Sequence, residues 1–497
     1  MPPAAMIPEI VAAGLAAGAK WVTEREFPDP VGWTDLAHSP SDATLVLESR
    51  RRREPVHWAR IQVRKDSAQG YRPFWIGDPY EEALLRISMN GIVDLVDRAL
   101  GGEVMSYRLK SGSPGWAMHD HWYPHGVSKE VARLHAESPV FGGYLRFDVR
   151  SYFPTFSVEL ADELLARLGV PSAVGYPLIG RLTMLQDVTG IHGIPTGPEA
   201  SAVLGNLGLL LVDEALRKGG LDFTRYVDDF QGLLVRGQSP EEMLTVVTTA
   251  LSVGGQTLNS DKTELVSTPH LVARVLDDPV LKRISLVEQN DPARAIELVV
   301  GVLELEVEYA RLGQSGRHHG RRVRYCFRKL QGAGDSRAVA LLVDSPELRE
   351  LSPHVWRTYL AEMWKRHALA EETLLGLIEQ SRGNESVLYN LLSAAASGPM
   401  MSEAAANVFE GLITESEHAI PTRCSAAEAW SCSRKWSPRK ALRLAAEVGS
   451  PALQRALVLS TRSKASGSRD LRAVRKARGI SEEAAVAARW VADLSAN

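Results

Sequence analysis

Cysteine is nearly absent from this chain: Cys326, Cys424 and Cys432 are the three thiols in 497 residues, too few and too scattered for a disulfide framework. Their spacing to the 13 histidines makes no zinc motif, and His318-His319 reads as a solvated basic loop. No apolar run reaches the ~18 residues needed to cross a bilayer, and the alanine-rich stretch from Ile10 to Ala17 lacks the basic start of a secretory leader. The expectation is a cytoplasmic protein without a membrane partner. Charge of one sign is lacking too. The formal net charge is -3, so no global basic field announces nucleic acid, and any such binding must rest on local patches.

What is present is an ordinary globular composition, 45% hydrophobic, on a length that accommodates two or three domains. The chain is organised around Arg225-Tyr226-Val227-Asp228-Asp229-Phe230, followed by the apolar run Gly232-Leu233-Leu234-Val235. Tyr, Val and Phe favour strands and Asp favours turns, so this is a β-hairpin with two carboxylates at its tip. Adjacent acids repel and lose solvation when half buried, which calls for a cation. Taken alone, an Asp-Asp turn is more often simply solvated. Its neighbours decide otherwise.

Upstream, Gly143-Tyr144-Leu145-Arg146-Phe147-Asp148-Val149 is an alternating strand with Leu145, Phe147 and Val149 on one face and Arg146 and Asp148 on the other. The segment Gly193-Ile194-Pro195-Thr196-Gly197-Pro198 breaks regular structure, and a helix from about Pro198 to Leu216 follows. Ala200, Ser201, Gly205 and Asn206 give it a face of small residues open to a flat partner, a base pair or a backbone. After the hairpin, Lys262 lies beside the strand-like Leu265-Val266.

An acid-ended strand, a Gly-Pro loop with a small-faced helix, a Tyr-Val-Asp-Asp hairpin and a lysine, in this order, resemble the palm motifs of reverse transcriptases, over roughly residues 60 to 270. Pro195-Thr196-Gly197-Pro198, where viral and intron enzymes carry Pro-Gln-Gly, and the phrase Val104 to Leu109 resemble the abortive-infection, defence-associated bacterial branch. The resemblance implies an α+β fold: right-hand fingers and palm at 46–270, after an N-terminal extension at 1–45. It also implies an all-α helical-repeat domain at 271–497 in place of a usual thumb. It further implies two-metal nucleotidyl transfer with Mg²⁺, or Mn²⁺ in its place. Nucleotide addition is an in-line displacement at phosphorus, which two cations about 3.5–4 Å apart can clamp through carboxylates from separate strands. Asp148 and Asp228 would bridge the metals, the Val149 carbonyl would add an oxygen, and Asp229 would support the hairpin tip. Lys262 would assist the departing pyrophosphate, unless it is a solvated lysine. Tyr152 would close off the ribose 2′ position, unless it is a core tyrosine. Gly197 would lie along the nucleotide, and Lys65 and Arg72 of the fingers would hold the triphosphate.

Beyond residue 270 strand signals vanish and short amphipathic helices recur, an α-helical array without a strict period. Arg321, Arg322, Arg324, Arg328 and Lys329, with Arg317, form one basic tract and Arg462 to Arg478 another. Each reads equally as a nucleic-acid contact or a solvated face. The basic run Arg50 to Arg53 reads as a solvated loop, with a phosphate contact as the alternative. The resemblance implies a DNA polymerase in antiphage defence that uses deoxynucleoside triphosphates, without a conventional template and primed from a protein hydroxyl, so that the DNA product stays attached. Tyr309, Tyr325, Tyr359 and Tyr389 are the candidate primers, and a homo-oligomer is expected. The alternatives are RNA-templated synthesis on a partner RNA, and an inactive palm serving as an oligomeric scaffold, although both metal-binding acids are present.

Overall fold

The computed structural model describes residues 8–24, 26–29, 32–53, 58–65, 70–110, 122–314, 318–463 and 468–494. Residues 116–121 of the alternating aromatic and histidine run from Trp116 to Tyr123 lie outside them, as does Arg317. The fold is α+β and mostly helical, as the sequence leads one to expect. Six strands occur among the described residues: β1 (Ala59–Arg64), β2 (Tyr71–Ile76), β3 (Phe141–Asp148), β4 (Asp222–Tyr226), β5 (Asp229–Val235) and β6 (Glu264–Val266). No helix of the described residues is long and apolar enough to cross a membrane.

The chain divides into two compact units. The first comprises Met1–Gly18, Leu47–Val56 and Tyr80–Asp278, the second Ala19–Val46, His57–Pro79 and Pro279–Asn497. This partition differs from a break near 45 and another near 270. The β1–β2 hairpin, with Lys65 and Arg72, belongs to the unit of the helical array, because its apolar face has its own partners there. Phe27, Ile61, Val63, Phe74, Ile76 and Tyr389 make one buried cluster.

The first unit is built on an antiparallel sheet of order β4-β5-β3-β6. Alternation sorts the side chains of β3 as expected. Leu145 and Phe147 are fully buried, and Phe147 stacks on Phe230 of β5 with ring centroids 4.6 Å apart. Tyr144 on the opposite face is buried as well, beside Ala132 of helix α1 (Trp122–Glu137) and Leu233 of β5. Farther along that face come Arg146 and Asp148, paired in register with Gln231 and Asp229. The expected helix from Pro198 to Leu216 is two helices, α2 (Glu199–Gly208) and α3 (Leu210–Lys218), interrupted at Leu209. Every residue of α2 is buried, so its small face is packed and not open to a base pair. Arg50 is no solvated loop residue either. It is buried and pairs with Glu81, which also holds Arg181.

From Pro269 to Leu494 every described element of regular structure is helical apart from turns. In the second unit these helices include α4 (Pro292–Arg311), α5 (His319–Ala333), α6 (Pro353–Lys365), α7 (Glu371–Gln380), α8 (Glu385–Ala395), α9 (Glu403–Thr414), α10 (Ile420–Ser431), α11 (Pro438–Glu447), α12 (Pro451–Leu459), α13 (Ser468–Lys476) and α14 (Glu482–Leu494). They pack as successive pairs, α4 with α5, α7 with α8, α9 with α10, α11 with α12 and α13 with α14, while α5, α6, α8, α10, α12 and α14 touch in series. Short helices with one apolar stripe cannot bury it alone, and stacking gives each a neighbour. Ser402, Ser437 and Ser450 cap α9, α11 and α12 through their hydroxyls. The serial layer also receives the segment before β1. The Tyr389 hydroxyl of α8 donates to the Pro28 carbonyl, and Arg455 of α12 forks onto Asp35 at 2.6 and 2.8 Å.

Candidate active site

Asp148 ends β3, and Asp228 stands in the turn between β4 and β5. Their strands are neighbours, and the two segments are stitched beyond the ladder. The Val149 N–H donates to the Asp228 carbonyl at 3.2 Å, and the Asn259 N–H to the Asp148 carbonyl at 2.9 Å. Asp148 is only 8% exposed. Its Oδ2 accepts from the Lys262 ammonium and, at 3.3 Å, from the Asn259 amide. Burial, then the Asp148 carboxylate beside it, push the Asp228 carboxyl up to about 8. Two acids thus stand beside each other with one lysine on Asp148. That arrangement is short of positive charge.

Asp229 points elsewhere. Its carboxylate takes both prongs of Arg146, Nε at 2.9 Å and Nη2 at 2.5 Å. Burial works against the guanidinium charge, but this pair more than offsets it and holds Arg146 above its usual range. Asp229 therefore braces the hairpin tip against β3.

The turn residue Val227 adopts a φ of 55°, a left-handed conformation that a β-branched residue rarely takes. A buried network holds it there. Its N–H donates to the Ser106 hydroxyl at 2.8 Å, and its carbonyl accepts from Arg225 Nη1 at 3.1 Å. Arg225, fully buried, forks onto Asp213 of α3 at 2.8 and 2.7 Å and reaches the Asn206 side chain of α2 at 2.8 Å. Asn206 in turn donates to the Ser106 carbonyl at 2.8 Å. The small, polar character of α2 serves this contact. Ser106→Ala should leave the Val227 N–H buried without a partner and cost about 1–3 kcal/mol, read as a lower midpoint in urea unfolding; an unchanged midpoint would show that the bond contributes nothing.

Tyr152 is 2% exposed, and its hydroxyl donates to the Gly205 carbonyl at 2.5 Å. Burial raises its pKa well above the usual phenol range. It lies on the wall made by Gly205 and Gly208. The half-buried ring beside it is Phe153, which also touches Gly205. Gly193 opens the loop that leads to Gly197. Its φ is 75°, and a Cβ there would overlap the Phe153 carbonyl oxygen. Gly197 has a φ of 134°. Val149 is buried.

The remaining candidates lie in the second unit. Lys65 is exposed, and Arg72 reaches Glu26 at 3.4 Å. Tyr359 and Tyr389 are buried, with hydroxyls donated to the carbonyls of Asp335, at 2.8 Å, and Pro28. Tyr309 is exposed, and the Tyr325 hydroxyl lies 3.4 Å from that of Ser285. Sequence reading passed over Glu415, Glu417 and His418, which bring three potential metal-ligand atoms together. Glu415 is already held by Arg382 at 2.7 Å, and His418 lies 2.9 Å from Glu385, so ion pairing accounts for the cluster. No protein-family model matches the chain, and no curated protein matches it.

Proposed function

We propose that the first unit is a polymerase palm of the reverse-transcriptase type, which adds deoxynucleotides to a hydroxyl by a two-metal mechanism. The observation that carries this reading is the meeting of Asp148 and Asp228 at the ends of neighbouring strands, where one carboxyl is pushed up to about 8 by burial and by the other. Carboxylates crowded in this way, with oxygen donors only, fit Mg²⁺ or Mn²⁺. Asp148 and Asp228 would hold the ions with the Val149 carbonyl. The bound ions would supply charge for the attacking and leaving oxygens.

The chain's own residues do the rest in this reading. Arg146 engages Asp229, so the hairpin presents a single carboxylate to Asp148. Lys262 neutralises Asp148 between turnovers and is placed to meet a departing pyrophosphate. Tyr152 and Phe153, seated against α2, form the aromatic wall at the sugar. The biological role we propose is antiphage defence, by synthesis that needs no conventional template and is primed from a protein hydroxyl. Tyr309 and Tyr325 suit priming better than Tyr359 and Tyr389, whose hydroxyls are buried and bonded.

The test is incorporation of labelled deoxynucleotides by purified protein with Mg²⁺ and no added template or primer, comparing wild type with Asp148→Asn. The expected result is label that migrates with the protein, resists phenol and falls by about a thousandfold or more in the variant, as removal of a metal bridge should give. Incorporation that appears only with RNA would replace untemplated by RNA-templated synthesis. Equal labelling of the variant, or none under any condition, would sink the polymerase reading.

A further inference from the structure

The second unit contains a polar cleft of about 480 Å³ on the layer formed by α6, α8 and α10. Its lining includes Arg357, Thr358 and Lys365 from α6, Ser393 from α8, Ser397 just beyond it, and Arg462. Three acids also face it, and each is held by an arginine. Asp29 is held by Arg455 at 3.1 Å, Glu362 by Arg366 at 2.6 Å, and Glu428 by Arg462 at 2.9 Å.

What remains is an excess of donors. Arg357 is 9% exposed, yet no carboxylate among the described residues lies within ion-pair distance of it. Its Nη1 donates to two neutral acceptors, the Glu26 carbonyl and the Asn390 side-chain oxygen, both at 3.1 Å. Its Nε and Nη2 have no partner among the described residues. A buried guanidinium so placed is costly unless something anionic answers it, and burial indeed lowers its pKa. Lys365, at the exposed rim of the same cleft, makes no ion pair among the described residues, and neither does the Ser393 hydroxyl make a hydrogen bond there. An arginine fork, an ammonium and a hydroxyl converging on one cleft are the donor set that phosphate oxygens take.

We propose that this cleft binds a phosphate-bearing ligand of mononucleotide size, with the phosphate received by Arg357 and Lys365. The volume lies within the range of small-molecule sites, about 300–1,000 Å³. The same phosphomonoester chemistry has two sources, a free nucleotide or the 5′-phosphate of an oligonucleotide. The site lies wholly in the second unit, and its ligand need not be the substrate of Asp148 and Asp228.

Equilibrium dialysis of the full chain in EDTA tests this, with four probes: deoxyadenosine 5′-monophosphate, deoxyadenosine, a 5′-phosphorylated hexanucleotide and its 5′-hydroxyl form. Expected is saturable binding that requires the terminal phosphate, weakens about tenfold or more in Arg357→Gln and in Lys365→Ala, and is unchanged in Asp228→Ala. Binding of the monophosphate identifies a free nucleotide as the source; binding of the phosphorylated hexanucleotide alone identifies a nucleic-acid end. The proposal is overturned by the absence of saturable binding, by deoxyadenosine binding as tightly as its monophosphate, by Lys365→Ala binding like wild type, or by loss in Asp228→Ala alone. Lys365 stands at the exposed rim, so its replacement decides the matter even where Arg357→Gln fails to fold. Failure here leaves the polymerase reading standing, since that reading is tested by incorporation with Asp148→Asn.

Discussion

Arg225→Met should destabilise the first unit by about 3–5 kcal/mol, because it leaves Asp213 charged and buried with no counter-ion. Asp213 is fully buried, and burial already raises its carboxyl pKa even with Arg225 in place. The same change strips a donor from the Asn206 side chain and from the Val227 carbonyl. A second substitution separates the two consequences. Arg225→Met/Asp213→Leu removes the stranded charge along with its partner, so most of the lost stability should return. Activity should not return with it, since nothing then holds the Val227 carbonyl and the left-handed turn that presents Asp228. Urea unfolding followed by incorporation assays checks both parts. A single variant as stable as wild type would refute the stability argument, and a double variant with full activity would show that Arg225 does not position Asp228.

That network also marks the limit of what the sequence discloses. Alternation alone puts Asp148 at a strand end and both carboxylates of Asp228-Asp229 at a hairpin tip, because these are local patterns of period two and turn chemistry. The different settings of Asp228 and Asp229 do not follow from that periodicity. Asp229 is the residue in register with Asp148, and it falls to Arg146 two positions back along β3. The partners of Arg225 were not legible, since Ser106, Asn206 and Asp213 come from three separate segments that no local rule connects. Small residues on α2 suggested a surface for a flat partner, whereas they admit Tyr152, Phe153 and the Arg225 fork.

The β1–β2 hairpin shows a related limit. From Arg64 to Ile76 the sequence reads as a basic strand, a Gly turn and a second strand, whereas the first strand runs from Ala59 to Arg64; a local pattern also carries no information about which neighbour takes the apolar face. Phe27 and Tyr389 take it, residues far apart in sequence, with rings 5.3 Å apart. The tyrosines teach the same lesson. Four phenols in amphipathic helices look alike in sequence, and only packing tells that those of Tyr359 and Tyr389 are buried donors. Most helices after Pro292 were legible, since a Ser-Pro or Asp-Pro start and an apolar stripe are local signals, but Pro279–Glu288 and Ser468–Lys476 were not.

In metal-free protein, Asp228 should make wild type lose stability as pH rises, relative to Asp228→Asn. The sign follows from linkage. The folded carboxyl is pushed up to about 8 by burial and by Asp148, whereas an unfolded aspartate titrates near 3.9. The folded state therefore holds the proton more tightly, and this contribution is complete below about pH 4. It is lost progressively as pH climbs to about 8, where the folded state must carry a second negative charge beside Asp148. Asn carries no such charge at any pH. Thermal unfolding in EDTA at pH 5, 7 and 9 should show wild type falling against Asp228→Asn by at least about 2–4 °C across the series. Added Mg²⁺ at pH 8 should raise the midpoint of wild type and leave that of Asp228→Asn nearly unchanged, since the ion replaces the proton as the positive partner of the two carboxylates. A constant gap in EDTA would mean that Asp228 titrates as an ordinary surface acid. A Mg²⁺ response equal in both proteins would mean that the ion binds without it, and either result would remove the electrostatic ground for a metal centre between Asp148 and Asp228.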